Sequence, residues 1–168
     1  FYSRFPDASE GAELKGANKF QKIYFHKLGT PQSEDKVVYE RPEDGELFMG
    51  GGVTEDGKWY VISVSKGTQR MNEIHFKDLS KPDSPIIPLI SDRKNSWSFV
   101  GNDGPVFYFR TDNEAERGRL VSVNVLARTR VWKDIVPQAA ETLGGVQMIN
   151  DQFVTNYLKD AYTQIKIW

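Results

Sequence analysis

The sequence predicts an all-β fold, and specifically part of a β-propeller. Runs rich in aromatic and β-branched residues, such as Val106–Arg110, are typical of strands. Asp-Gly turns come before two of these runs, 47 residues apart, at Asp56-Gly57 and Asp103-Gly104, and Asn150-Asp151 follows after another 47 residues. Each turn follows the first strand of a series of about four predicted strands. A fixed period of this length with four antiparallel strands per unit indicates propeller blades.

The first predicted unit contains three strands. Phe1–Phe5 and Gln21–His26 are expected to pair, although a polar insertion from Pro6 to Lys19 separates them. Lys36–Tyr39 provides the third strand. This unit lacks the leading strand that the later units have, so we expect it to be an incomplete blade.

The second unit is predicted to contain a complete set of four strands. Its leading strand runs from Phe48 to Thr54 into the Asp-Gly turn. Three further strands are expected at Trp59–Val64, Glu73–Phe76 and Ile86–Ile90.

The third and fourth units repeat the same order of strands and turns. The strands of the third unit are predicted at Ser96–Val100, Val106–Arg110, Arg119–Val123 and Thr129–Trp132. Those of the fourth are predicted at Leu143–Ile149, Phe153–Tyr157 and Gln164–Ile167. The expected result is about four consecutive blades, of which the first and the last are incomplete.

We place the blade boundaries at approximately residues 1–45, 46–92, 93–138 and 139–168. A β-sandwich also uses short strands joined by frequent turns, but it gives no reason for a repeat of this length. Because the chain starts within a predicted blade and without an initiator Met, we expect it to be a piece of a longer protein. Incomplete blades leave apolar faces and strand edges uncovered, so we also expect self-association through the open blade ends.

The composition narrows the classes of partner. The chain has 22 Lys and Arg against 23 Asp and Glu, and a net charge of −1 gives no overall attraction to nucleic acid or to an anionic membrane. It contains no cysteine, which is compatible with either a cytoplasmic or a periplasmic parent protein. No apolar run approaches the roughly 20 residues that span a bilayer. We therefore expect a soluble chain with neither nucleic acid nor membrane as a partner.

The run Gly50-Gly51-Gly52 allows two interpretations, a phosphate-binding loop or packing inside a sheet. A phosphate loop needs the spacing G-x-G-x-x-G or G-x-x-x-x-G-K-[ST] and the N-terminus of a following helix. Neither spacing fits this run, and no helix signal follows it. A Gly-Gly pair recurs two periods later, at Gly144-Gly145. We therefore expect the glycines to permit close approach of inner strands.

Catalytic and metal-binding patterns are missing from the sequence. Its two histidines, His26 and His75, both lie in predicted strands. No Ser lies in a G-x-S-x-G elbow, and there is no H-E-x-x-H motif. We therefore expect no catalytic residue, no metal and no cofactor in this chain, and we expect each histidine to be exposed or hydrogen bonded.

Three strings stand out in the first half of the chain: FYSRFPDASEG, KFQKIYFHKLGTPQSEDKVVYERPE and FMGGGVTEDGKWYVISVSKGT. They resemble consecutive blades of the propeller domain of the prolyl oligopeptidase family. The segment from His26 to Glu40 is the most specific, since it follows the pattern H-x-L-G-T-x-Q-S-E-D, which links one blade to the next in that family. The resemblance is strongest from Phe1 to Leu79 and continues collinearly to Trp168.

The resemblance implies a function for the parent protein. In the family, a seven-bladed propeller lies over an α/β-hydrolase domain that holds the catalytic Ser, Asp and His and cleaves short peptides after proline. This chain would then be a non-catalytic segment that gates peptide access. Its partners would be the α/β-hydrolase domain of the parent chain and short proline-containing peptides. Met49 and Thr68 match family positions that contact the outer substrate pocket, so they are the expected substrate-binding residues.

Two other interpretations stay open from the sequence. One is a free-standing propeller that serves as a protein-binding scaffold. The other is the propeller of a related peptidase, an oligopeptidase B or an acylaminoacyl peptidase. The string from His26 to Asp35 favours the proline-specific branch of the family.

Overall fold

The computed structural model describes residues 1–7 and 18–168, and the strands in these residues form four antiparallel sheets. The predicted insertion between the first two strands falls largely on residues 8–17, outside the described residues. Contacts divide the chain into two compact units. Unit one contains Phe1–Val53 and Trp59–Asp92, and unit two contains Thr54–Lys58 and Arg93–Trp168. No helix in the described part of the chain is long and apolar enough to cross a membrane.

The first sheet, in unit one, contains three strands in the order β1-β2-β3. They are β1 (Tyr2–Arg4), β2 (Lys22–Phe25) and β3 (Lys36–Glu40). Ile23 is fully buried, whereas Lys22 next to it forms an ion pair with Glu40 across the strands at 2.7 Å. This is the alternation of inward apolar and outward polar side chains that a sheet with one covered face requires.

The second sheet, also in unit one, contains four strands in sequence order. They are β4 (Leu47–Val53), β5 (Trp59–Lys66), β6 (Asn72–Asp78) and β7 (Ile87–Ile90). The two inner strands, β5 and β6, are buried along most of their length. Their Trp, Tyr, Val, Ile and Phe residues suit this position because branched and aromatic side chains pack well on a pleated surface.

The core of unit one lies where the first sheet contacts the second. Its buried members are Ile23, Leu47, Met49, Tyr60, Ile62 and Val64. The ring of Phe1 stacks on Tyr60 with a centroid distance of 4.1 Å. Strands β1 and β2 both contact β4, so this core joins the two sheets.

The third and fourth sheets form unit two. The third contains β8 (Trp97–Asp103), β9 (Val106–Thr111), β10 (Arg119–Asn124) and β11 (Lys133–Val136). The fourth contains β12 (Thr142–Ile149), β13 (Gln152–Lys159) and β14 (Tyr162–Ile167). Strands β8 and β12 are in contact, and the core between the two sheets is apolar. Its buried members are Leu120, Val136, Leu143, Phe153 and Tyr157.

The repeated turns close the hairpins β4–β5, β8–β9 and β12–β13. Gly57 and Gly104 have φ values of +70° and +50°, and Asn150 and Asp151 have values of +47° and +59°. Hairpin connections often need a residue with positive φ, which Gly adopts without strain and Asn and Asp tolerate. The three turns that define the 47-residue period therefore each join the first two strands of a sheet.

The structure corrects one predicted strand. The third unit's last strand is β11 at Lys133–Val136, not Thr129–Trp132, so that prediction was wrong. Trp132 instead packs its ring against Trp97 at a centroid distance of 4.8 Å and against Phe109 at 6.0 Å. Such aromatic contacts stabilise a large side chain beyond the area that they bury.

The other predicted strands all overlap strands of the structure. Within the described residues, the predicted series of three, four, four and three strands is confirmed. The blade boundaries that we drew between them stay predictions.

Candidate functional site

The two predicted substrate-binding residues are Met49, in the second sheet, and Thr68, in a turn that connects two strands of that sheet. Met49 is the third residue of β4, and Thr68 lies in the turn after β5. Leu47, the first residue of β4, pairs with Lys66, the last residue of β5. Thr68 therefore lies at the end of the sheet where β4 begins, and it is exposed there. At this end the Lys66 ammonium lies 2.9 Å from the carboxylate of Asp44.

Met49 lies in the interior of unit one. Its side chain is only 3% exposed and belongs to the apolar core with Ile23 and Tyr60. The backbone amide of Met49 donates a hydrogen bond to Gln21 Oε1 at 2.6 Å, and its carbonyl accepts one from Ser3 Oγ at 2.7 Å. Of the two predicted residues, only Thr68 reaches the surface, and contact of either residue with a peptide stays a prediction.

The glycine run after Met49 forms part of a strand, in a hairpin with β5, and no phosphate-binding helix follows it. A Cβ atom on Gly51 would lie 2.7 Å from the Val61 carbonyl oxygen and 2.8 Å from the Tyr60 ring. The predicted close packing is therefore confirmed at Gly51. It is wrong for Gly50 and Gly52, where an added Cβ would meet nothing within 4 Å.

The family-like string from His26 to Asp35 forms a closed loop between β2 and β3. His26 directly follows β2, one residue beyond the strand in which it was predicted. Its Nδ1 lies 2.7 Å from Asp35 Oδ1, and the Tyr2 hydroxyl donates to Asp35 Oδ2 at 2.7 Å. Burial alone would raise the pKa of Asp35, but the hydrogen bonds from Tyr2 and His26 together hold it below its ordinary value. The string thus encodes a hydrogen-bonded loop closure.

A cluster of four polar side chains, which the sequence did not lead us to expect, lies between β3 and β6. We call it the β3–β6 cluster, and its members are Tyr39, Arg41, Glu73 and His75. Glu73 Oε2 lies 2.7 Å from Arg41 Nη1 and 2.8 Å from His75 Nε2. The Tyr39 hydroxyl lies 3.4 Å from both of these nitrogens. The available signal was the placing of Glu73 and His75 at alternate positions of one strand, which puts both on one face.

Burial sets the protonation of the β3–β6 cluster. It lowers the pKa of His75, although the nearby Glu73 carboxylate opposes this shift. It also raises the pKa of Tyr39, so this phenol stays protonated at neutral pH. His75 is then a neutral imidazole whose Nε2–H donates to Glu73. In the described residues, no group of three or more His, Cys, Asp or Glu is arranged to hold a metal ion.

Hairpins with a 47-residue turn repeat and sheets of three or four antiparallel strands define this chain as a β-propeller segment. The family described as prolyl oligopeptidase, N-terminal beta-propeller domain, matches residues 1–168, and the chain belongs to that family.

Two relatives align with almost the whole of this chain, and both are much longer than it is. The chain is 33% identical over 167 residues to a prolyl endopeptidase of Elizabethkingia miricola, and the match covers 99% of this chain and 23% of the relative. It is 26% identical over 182 residues to prolyl oligopeptidase A of Amanita bisporigera, again over 23% of that protein. The chain therefore spans about a quarter of the length of the curated relatives it matches.

Solved structures agree with the sequence comparison. A structure from a study of two prolyl endopeptidases has 31% identity and a TM-score of 0.89 over 99% of this chain and 24% of that one. Prolyl oligopeptidase B from Galerina marginata, solved with a 35mer hydrolysis and macrocyclization substrate, has a TM-score of 0.91 at 21% identity, which shows the fold alone. The predicted fold class and the family resemblance are thereby confirmed.

Proposed function

We propose that this chain is a non-catalytic propeller segment that, in a full-length prolyl oligopeptidase, gates the access of short peptides to a serine-peptidase active site cleaving after proline. One observation carries the proposal: 99% of the chain aligns with only 23% of a prolyl endopeptidase. The sequence has no G-x-S-x-G elbow of its own. Catalysis then belongs to the part of the parent protein outside this segment.

The partners in this proposal are the α/β-hydrolase domain of the parent chain and short proline-containing peptides. The names of the relatives, which are prolyl endopeptidases and prolyl oligopeptidases, favour the proline-specific branch over an oligopeptidase B or an acylaminoacyl peptidase. They also favour a peptidase component over a free-standing scaffold.

Within the proposal, Thr68 and Met49 have different parts in the outer substrate pocket. Thr68 is exposed in a turn, where a bound peptide can reach it directly. Met49 is buried beside Tyr60, so it supports the wall of the pocket through packing. Methionine is well suited to this position because its flexible thioether adapts to irregular apolar surfaces.

The separation of gating from catalysis can be tested with two proteins. Purified residues 1–168 should neither cleave a chromogenic proline peptide nor react with a serine-directed fluorophosphonate probe. The full-length protein should do both, because it holds the nucleophile. Turnover or labelling by the isolated chain that persists through further purification would contradict the proposal.

We also propose that the isolated chain self-associates through its last sheet. In the described structure β14 pairs only with β13, and Ile165 and Ile167 on β14 are each 65% exposed. An exposed edge strand with apolar side chains is a template for pairing with another chain. Light scattering should show oligomers that dissociate in the Ile165→Lys variant, and a wild-type chain that is monomeric at all concentrations would contradict this.

A further inference from the structure

We propose that the β3–β6 cluster is an acid-sensitive latch between the first two sheets. Tyr39 lies in β3, and Arg41 is the first residue after that strand. Glu73 and His75 lie in β6. The cluster therefore joins the outermost strand of the first sheet to the second sheet. Both sheets belong to unit one.

The geometry makes the four side chains depend on one another. A single carboxylate oxygen of Glu73 accepts from Arg41 at 2.7 Å and from His75 at 2.8 Å. Glu73 is only 2% exposed and His75 only 6%. A buried carboxylate without its partners is strongly unfavourable. The cluster is therefore stable when all its bonds are made, and it weakens as a unit when one of them is lost.

The rest of the contact between the two sheets has a different chemistry. It consists of the apolar core around Ile23, Leu47 and Met49. The neutral side chains of Ser3 and Gln21 add hydrogen bonds to the backbone of Met49, and Tyr60 stacks beneath Phe1. Burial raises the pKa of the Tyr60 phenol to about 12, so this core carries no group that titrates in mild acid. A fall in pH consequently acts on the β3–β6 cluster and leaves the apolar core intact.

Protonation of His75 places a second cation next to Arg41. The charged and titratable groups around His75 are Glu73 and Lys77 on its own strand, Tyr39 and Arg41 from β3 and the residue that follows it, and Glu43, which contacts Arg41. The in-sheet neighbours Ile62 in β5 and Pro88 in β7 bring no charge. Among the residues that the structure describes, the carboxylate of Glu73 is the one that contacts both Arg41 and His75, and it cannot fully compensate a second buried cation.

The sign of the effect follows from the shift of the His75 pKa. Because burial lowers this pKa from its ordinary value of 6.5, the latched state binds fewer protons than the opened state. The stabilisation is complete above pH 6.5 and is lost as pH falls through the lowered pKa. Between pH 6.5 and the lowered pKa, the ratio of latched to opened molecules falls by up to about tenfold per unit of pH.

Hydrogen exchange in the full-length protein, measured by mass spectrometry between about pH 7.5 and about pH 5, tests the latch across the histidine range. After correction for intrinsic exchange rates, protection of residues 36–41 and 72–78 should fall as the pH is lowered, whereas protection of residues 143–157 should not. His75→Gln keeps an Nε2–H donor for Glu73 but cannot titrate, so protection of residues 36–41 and 72–78 should no longer fall as the pH is lowered. His26→Gln, the matched control, should retain this fall.

Two results would overturn the latch. One is the same loss of protection at low pH in the His75→Gln variant as in the wild type. The other is an equal loss in residues 143–157. If His75→Gln does not fold, NMR titration of the wild type decides, with His26→Gln for assignment: His75 should titrate below pH 6.5, and titration at or above that value would contradict the proposal.

Discussion

The side-chain amide of Asn102 donates a hydrogen bond to Asp56 Oδ2 at 3.1 Å and thereby joins two of the repeated turns. The other carboxylate oxygen of Asp56 accepts from the Thr54 hydroxyl at 2.6 Å and from the Lys58 amide at 3.1 Å. Asn102 also donates to the Gly104 carbonyl at 3.0 Å within its own turn. The first two of the repeated turns are therefore joined by a side-chain hydrogen bond.

Replacing Asn102 with Ala should lower the free energy of unfolding by about 1 kcal/mol, because it removes two hydrogen bonds at a partly exposed site. Urea denaturation followed by tryptophan fluorescence measures the change. The control Glu55→Ala alters an exposed neighbour of Asp56 and should change stability by less than about 0.5 kcal/mol. Equal effects of the two substitutions would show that the bond between the turns contributes nothing.

Gly51→Ala should destabilise the chain by about 1 to 3 kcal/mol, since the new methyl group would overlap the Val61 carbonyl and the Tyr60 ring. Gly50→Ala and Gly52→Ala are matched controls in the same strand, with no atom within 4 Å of the added carbon. Thermal unfolding of the three variants makes the comparison. Similar losses in all three would contradict this account, because the contacts at Gly51 would then not distinguish it from Gly50 and Gly52.

Asp35→Asn should weaken the loop that closes between β2 and β3, because the carboxylate bonds to Tyr2 and His26. The pKa of Asp35 is lowered from 3.8. The difference in stability between the wild type and the variant should therefore be present above pH 3.8 and should disappear as the pH falls through the lowered pKa. Denaturation curves at several acidic pH values measure this difference. Glu34→Gln, in the same loop, is the control, and a difference that grows with acid would refute the account.

Thr68→Lys in the full-length protein should raise KM for a short proline peptide by about tenfold, or about 1.4 kcal/mol, with kcat retained. The reason is that a long charged side chain would enter the outer substrate pocket that we propose. Gln69→Lys, at the exposed neighbouring position, should leave KM unchanged. Met49→Leu conserves volume and should also leave it nearly unchanged if Met49 acts by support. Equal increases in the Thr68 and Gln69 variants would point to a general charge effect.

Much of the fold could be predicted because the repeated turns use residues that favour turns locally. Gly57, Gly104 and Asn150 each stand where positive φ is required. The strands between these turns are rich in aromatic and β-branched residues. The misplaced strand at Thr129–Trp132 shows the limit of this approach. Trp132 suits a strand by composition, but its packing against Trp97 comes from tertiary structure that no local pattern reports.

The candidate residues were harder to predict than the fold. The family-like string led to Met49 and Thr68, but the sequence could not show that Met49 is buried while Thr68 is exposed. Nor could it show that Glu73 and His75 meet Arg41, which lies more than 30 residues away along the chain. Both facts depend on how the first two sheets pack, and that packing is not encoded in any single strand.

The gating claim is tested most directly by the dependence of kcat/KM on peptide length in the full-length protein. We would use single-proline peptides of increasing length and compare the wild type with Leu143→Ala, which creates a cavity in the core of unit two at a cost of about 2 to 5 kcal/mol. The exposed Leu126→Ala variant serves as the control. We predict that the wild type and the control discriminate against long peptides and that Leu143→Ala cleaves long peptides faster while its activity on short ones is unchanged. The same length dependence in all three proteins, or no length dependence in the wild type, would contradict the account.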